Sequence, residues 1–219
     1  GLRDHITASL RERTGFQTMY RTGMLGRVLA IVSERVRQLA TLHPTAEFDQ
    51  PLPPDLEIWR KVAKRAPGVE VINRSSLIGS LRAVKSTAEV AMIKEAVKYT
   101  SGGFEDAIRS IEPGTNESIV QSTLEHGYAV RGSDGLGFDS IAGSGINTTV
   151  LHYGANDQKI EDGELVLIDS GARCGGYGAD ISRTVPVSGV FTQRQREIYE
   201  VVLQAEEAAI RAVKPGATF

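Results

Sequence analysis

Apolar residues recur at helical spacing along much of this chain and alternate with polar ones in a few short runs. Leu25, Val28, Leu29, Val32, Val36 and Leu39 predict an amphipathic helix from Met24 to Leu42, ended by His43-Pro44. Leu56, Trp59, Val62 and Ala63 predict a second helix, and Val69 to Ile72 a strand. Ser86-Thr87-Ala88-Glu89 has the spacing of a capping box. After it, Val90, Ile93, Val97, Phe104, Ile108 and Ile111 share one helix face up to Pro113-Gly114. Gly102 and Gly103 interrupt that helix at about 1 kcal/mol each relative to alanine, a cost that close packing against another element would justify. A further helix is expected from Asn116 to Val130, then strands at Phe138–Ala142 and Thr149–Tyr153, the latter with Val150 and His152 on one face. Thr192 and Gln195 form a second capping box. It opens a helix whose stripe of Ile198, Val201, Ala205, Ala208 and Ala212 should be buried, and Pro215-Gly216 stops it.

The segment from Leu165 to Val187 has the other period. Leu165, Val166, Leu167 and Ile168 lead to Asp169, and Ile181, Val185 and Val187 alternate with Asp180, Ser182 and Thr184. Cys174-Gly175-Gly176-Tyr177 between them suits a tight turn, so the segment is expected to be a β-hairpin with one acid on each arm. A loop of Cys174-Gly175 sets Asp169 opposite Asp180. A loop of Gly175-Gly176 sets Asp169 opposite Ser182, with Asp180 its diagonal neighbour on the same face; a three-residue loop would part the acids. Directly opposed Cβ atoms lie roughly 4.5–5.5 Å apart. Two carboxylates that close need a positive partner between them: a proton, a basic side chain or metal.

Composition narrows the class. With 41% hydrophobic and 24% charged residues over 219 positions, the chain is an ordinary globular protein of one or two domains. A net charge of −2 gives no basic footprint for nucleic acid, and no apolar run approaches a membrane span. Cys174 stands alone, which excludes an internal disulfide and fits a reducing, cytoplasmic setting. His5 and His43 show no ligand spacing, His126 near the end of its helix suits the helix dipole, and His152, just before the hairpin, is open to either a structural or a site role. The octet Ala107–Gly114 recurs as Ala209–Gly216 with five identities, 102 residues apart, the mark of a possible duplication.

The run GSGINTTVLHYGANDQKIEDGELVLIDSGARCGGYGADISRTVPVSGVFTQRQREIYEVVL resembles the core of the pita-bread metallopeptidases, specifically Xaa-Pro aminopeptidase and prolidase. LRAVKSTAEVAMIKEA resembles the start of their catalytic domain. The resemblance implies an α+β chain: residues 1–81 as the C-terminal part of an N-terminal α/β domain, and residues 82–219 as the first half of the catalytic domain. It implies two divalent ions, Mn²⁺ by preference, with Asp169 binding one and Asp180 bridging both. His152 of the Leu-His-Tyr motif would contact substrate and assist proton transfer. The implied reaction is hydrolysis of the bond before proline by a metal-bridging hydroxide, in a cytoplasmic, homo-oligomeric parent enzyme acting on proline-containing peptides. Cys174 stands where relatives often carry tyrosine.

The family's remaining ligands, one His and two Glu, belong to a second half that these residues do not contain, so a missing C-terminal half is the expected partner. Two other readings compete. A pseudo-peptidase would bind a peptide or protein without chemistry. A metal-free hydrolase resembling creatinase would use His152 alone as acid and base, but would be expected to lack the paired acids.

Overall fold

A computed structural model describes residues 7–42 and 49–218; His5, His43 and Pro44 lie outside the described residues. The chain divides into two compact units, Gly1–Val84 and Lys85–Phe219.

The first unit contains helix α1 (Ala8–Thr14), α2 (Leu25–Ser33), strand β1 (Gln38–Thr41), α3 (Pro54–Ala63), β2 (Glu70–Asn73) and α4 (Ser75–Ala83). β1 and β2 pair in parallel, Leu39 opposite Val71, with α3 as the crossover between them. The helix expected to reach Leu42 therefore ends at Ser33. Leu39 and Thr41 are buried while Gln38 and Ala40 are exposed. That alternation is the period of a strand, whose backbone partners are offered by β2.

The second unit begins with α5 (Thr87–Arg109), opened by the expected capping box. The Glu89 amide donates to Ser86 Oγ at 3.3 Å, and the Ser86 amide to Glu89 Oε2 at 2.6 Å. The other Glu89 oxygen accepts from the Tyr177 hydroxyl. The hydroxyl first, then the Ser86 groups, pull the Glu89 carboxyl down to about 2 from an ordinary 4.5. Because the folded value is depressed, this contact adds stability above about pH 4.5 and loses it as the pH falls toward 2. Tyr177→Phe is accordingly expected to raise the Glu89 pKa toward 4.5, read from its carboxyl carbon shift in an NMR titration. A Glu89 midpoint that stays near 2 would show that the hydroxyl is not the cause.

α5 packs against α6 (Glu117–Val130), whose first turn is capped by Asn116. The buried face of α5 is Ala96, Thr100, Gly103, Phe104 and Ala107, whereas Val90, Val97 and Ile108, expected inside, are 37–40% exposed. The helix is rotated from its most apolar stripe because small residues allow a closer crossing. A Cβ on Gly127 of α6 would lie 2.7 Å from the Gly103 Cα, and one on Gly103 would meet the Tyr128 ring. Val120, Leu124 and Tyr128 complete this core with Phe104 and the sheet residues Val166 and Ile168.

That sheet is antiparallel, in the order β3 (Ile141–Ser144), β4 (Leu165–Ser170), β7 (Ile181–Pro186), with the small hairpin β5 (Arg173–Cys174) and β6 (Tyr177–Gly178) between β4 and β7. The strand expected at Phe138–Ala142 is displaced to Ile141–Ser144. The one expected at Thr149–Tyr153 does not form; Gly145–Thr149 is a 3₁₀ turn instead. Thr148 Oγ1 donates to the Gly145 carbonyl at 2.7 Å and Thr149 Oγ1 to that of Ile146 at 2.8 Å. These short-range side-chain bonds compete with a ladder and win.

The last helix, α7 (Gln193–Ala212), has the expected capping box of Thr192 and Gln195 but no buried residue. Its stripe is exposed, Ile198 to 51% and Val201 to 67%, because the described residues offer no element to cover it.

Candidate metal centre

Strand β4 sorts its residues by face. Val166, Ile168 and Ser170 are buried toward the helices, and Leu165, Leu167 and Asp169 lie half-buried on the opposite face. The alternation of a strand with one packed face places the acid on the other. Asp169 is opposite Ser182 in β7 and opposite Ile141 in β3.

The hairpin closes on Gly175-Gly176, with φ of 58° and 82°. Both central residues have the positive φ of a type I′ turn, so the glycines are required by backbone conformation. Cys174 faces Tyr177, and the Ala179 amide donates to the Ala172 carbonyl at 2.9 Å in the same register. Of the two even loops weighed above, this is the one that leaves Asp180 diagonal to Asp169 rather than opposite it. Asp180 is exposed, two residues before Ser182, next to Gly171. A side chain at Gly171 would collide with the Ala179 carbonyl, so the two arms approach more closely here than any other residue would permit.

Asp169 Oδ1 is buried and has no hydrogen-bond partner among the described residues. An unpaired buried polar oxygen costs about 1–3 kcal/mol, and a carboxylate in that condition is a fit for a cation. Among the described residues no group of three or more His, Cys, Asp or Glu forms a cage.

His152 is exposed and lies in the turn after the 3₁₀ segment, in the left-handed region at φ 54°. The next residue, Tyr153, locates the turn relative to the sheet. A Cβ on Gly143 would lie 3.2 Å from the Asn147 backbone and 3.3 Å from the Tyr153 ring. Gly143 is opposite Leu167, so its Cβ direction is that of Leu167 and Asp169. The Tyr153 ring, one residue after His152, thus packs on the sheet face that Asp169 shares. The expected strand placing Val150 and His152 on one face is replaced by this turn.

One acid near the turn escaped sequence reasoning. Glu117 is fully buried at the start of α6 and accepts five hydrogen bonds. Burial alone would raise its pKa, but donors from Asn147, Tyr153, Gln158 and Ser144 outweigh that and hold the carboxyl below its ordinary range. From sequence it is simply an acid in a helix's first turn, where the dipole favours one. A cavity of about 690 Å³ between α2 and α3 is lined by none of the candidate residues.

Residues 91–219 match metallopeptidase family M24. Xaa-Pro aminopeptidase of Escherichia coli (strain K12) is 37% identical over 164 residues, 74% of this chain and 37% of that protein. A solved structure from Bacillus anthracis assigned to aminopeptidase P superposes with a TM-score of 0.90 at 29% identity, covering 98% of this chain and 52% of that one. Prolidase from Pyrococcus furiosus superposes with a TM-score of 0.73 at 30% identity, covering 86% of this chain and 54% of that one. The chain thus spans little more than a third of its curated relative and about half of the solved structures. No helix among the described residues is long and apolar enough to cross a membrane. With the family matched over more than half of its residues and the sheet, hairpin and helices arranged as in aminopeptidase P, this chain belongs to metallopeptidase family M24 and folds as a partial pita-bread domain.

Proposed function

We propose that this chain supplies one half of the catalytic domain of an Xaa-Pro aminopeptidase or prolidase, hydrolysing the peptide bond that precedes proline. Residues 82–219 form that half, and residues 1–81 the end of an N-terminal α/β domain. The observation that carries the reading is the unpartnered, buried Asp169 Oδ1 on the sheet face that also bears the Tyr153 ring.

Asp169 and Asp180, one on each arm of the hairpin, would hold divalent ions, for which oxygen donors suit Mn²⁺. When bound, two such ions supply an activated water and polarise the scissile carbonyl. Asp169 is held by β4 against a packed core, so its carboxylate is oriented before an ion arrives. Asp180, exposed beside the close approach at Gly171, would supply the second carboxylate. His152, on a turn rather than a strand, would contact substrate and exchange a proton with it. Two carboxylates leave most coordination positions to other donors. Further donors would come from the second half of the catalytic domain that the family resemblance implies, a segment that would also cover the exposed apolar stripe of α7. A cytoplasmic setting accords with the single free thiol of Cys174.

The test is to produce this chain together with that segment, add Mn²⁺, and follow release of the residue before proline. Cleavage of a tripeptide with proline second, and none when alanine replaces the proline, is the expected result. A dipeptide ending in proline distinguishes prolidase from aminopeptidase. A correctly folded, ion-loaded protein that binds but does not cut these peptides would identify a non-catalytic peptide-binding relative instead.

A further inference from the structure

The turn bearing His152 is strained at two positions and locked at several. His152 and Asn156 are the non-glycine residues of positive φ among the described residues, at 54° and 45°. Backbone held in such regions costs of order 1–3 kcal/mol and persists only where the surroundings over-determine it. At Asn156 the determinants are plain. Its Oδ1 accepts from the Ala142 amide at 3.0 Å, and its Nδ2 donates to the Ser140 carbonyl at 2.8 Å and to Gln121 Oε1 at 2.9 Å.

On the His152 side everything converges on one carboxylate. Glu117 Oε2 accepts from the Tyr153 hydroxyl at 2.8 Å and the Gln158 amide at 3.1 Å. Glu117 Oε1 accepts from the Ser144 amide at 2.7 Å, the Ser144 hydroxyl at 2.8 Å and Asn147 Nδ2 at 3.1 Å. The Asn147 amide also donates to the Tyr153 oxygen at 3.1 Å, closing a ring of three side chains. Glu117 thus ties the end of β3, the 3₁₀ turn and both ends of the 153–158 loop to the base of α6. Each oxygen accepts from a backbone amide, which cannot reverse its role. A neutral carboxyl or a carboxamide would set a donor against one of those amides, so only the anion satisfies the site.

We propose that Glu117 is a positioning residue for His152: through Tyr153 it holds the left-handed turn that aims the imidazole over the Asp169 face. The inference rests on the reading of His152 as the acid–base group, but it concerns where the ring is held and can be tested apart from what the ring does. The depressed carboxyl of Glu117 and the Tyr153 hydroxyl, pushed up to about 12 by burial and then by Glu117, keep the acceptor and donor roles unchanged at neutral pH.

The experiment uses the complete enzyme and two variants, Glu117→Gln and Tyr153→Phe, each made with and without His152→Ala. The second variant removes one hydroxyl and keeps the ring on Gly143, so it remains informative where Glu117→Gln does not fold. Tyr153→Phe is expected to lower kcat roughly 10- to 100-fold with KM unchanged, the scale of loss for a catalytic group displaced by about 1 Å. In the His152→Ala background the same change should lower kcat no further. In ¹⁵N-histidine NMR spectra the His152 signals should shift or broaden while those of His126 stay in place. An equal fractional loss in both backgrounds, or an unmoved His152 signal with full kcat, would overturn the inference and leave Glu117 a purely structural acid. If His152→Ala by itself leaves turnover intact while Tyr153→Phe still moves the His152 signals, the positioning stands and the acid–base reading of His152 falls.

Discussion

Asp169→Ala in the complete enzyme is expected to eliminate turnover and, in the ion-free protein, to leave stability unchanged or slightly raised. The two effects have one cause. Asp169 Oδ1 is buried without a partner among the described residues, so in the absence of an ion the carboxylate carries a desolvation cost of about 1–3 kcal/mol that nothing offsets. Removing it relieves that cost and gives up some packing on a half-buried face. With ions present the balance reverses. Losing a group that merely hydrogen-bonds to a ligand typically lowers metal affinity roughly 10–100-fold, and losing the ligand itself should exceed that. The checks are ion content by elemental analysis, turnover on a proline-containing peptide, and thermal melting with and without Mn²⁺. Wild-type protein should melt higher with the ion, and Asp169→Ala should show no such gain. A variant that loses stability without ions yet still binds them would make Asp169 a structural acid and remove the basis for the metal centre.

His152→Ala should separate catalysis from metal binding. General acid–base assistance contributes typically about 10²–10⁴-fold, so turnover should fall by that factor while ion content remains that of wild type. His152→Gly supplies a second readout. Glycine adopts a φ of 54° without steric cost, so this variant should lose as much turnover as alanine while folding about 1 kcal/mol more stably than it. Urea unfolding and steady-state kinetics on the same three proteins decide the matter. Full turnover in either variant would return His152 to a structural role in its turn. Loss of ions would place it among the ligands.

The elements legible from sequence were those whose signals are local. Both capping boxes formed as their spacing implied, because the bonds close within one helical turn. The hairpin and its glycine turn followed from the period of a strand and from the positive φ that glycine adopts freely at positions 175 and 176, whereas the even length of the loop did not. Choosing between the two possible even loops needed the structure, since the registers differ only in which backbone amides face each other. Val36 to Leu42 could be helix or strand by pattern, and β2, more than thirty residues away, settled it. Thr149 to Tyr153 has strand composition, but threonine hydroxyls turned back on nearby carbonyls and made a turn.

What the sequence by itself determined is the placement of Asp169 and Asp180 on two arms of one hairpin, and the resemblance that pointed to a metallopeptidase. What only the tertiary structure decided is the surroundings of those groups. The face of α5 that is buried was chosen by the close crossing of Gly103 and Gly127, not by the most apolar stripe. The buried, partnerless oxygen of Asp169 lies on the central strand, between β3 and β7. The five donors around Glu117 come from β3, the 3₁₀ turn and the loop after it, up to 41 residues away along the chain. Hydrophobic periodicity records which side of an element is apolar; it carries no record of which distant donors will meet a buried carboxylate, because those meetings are made by packing.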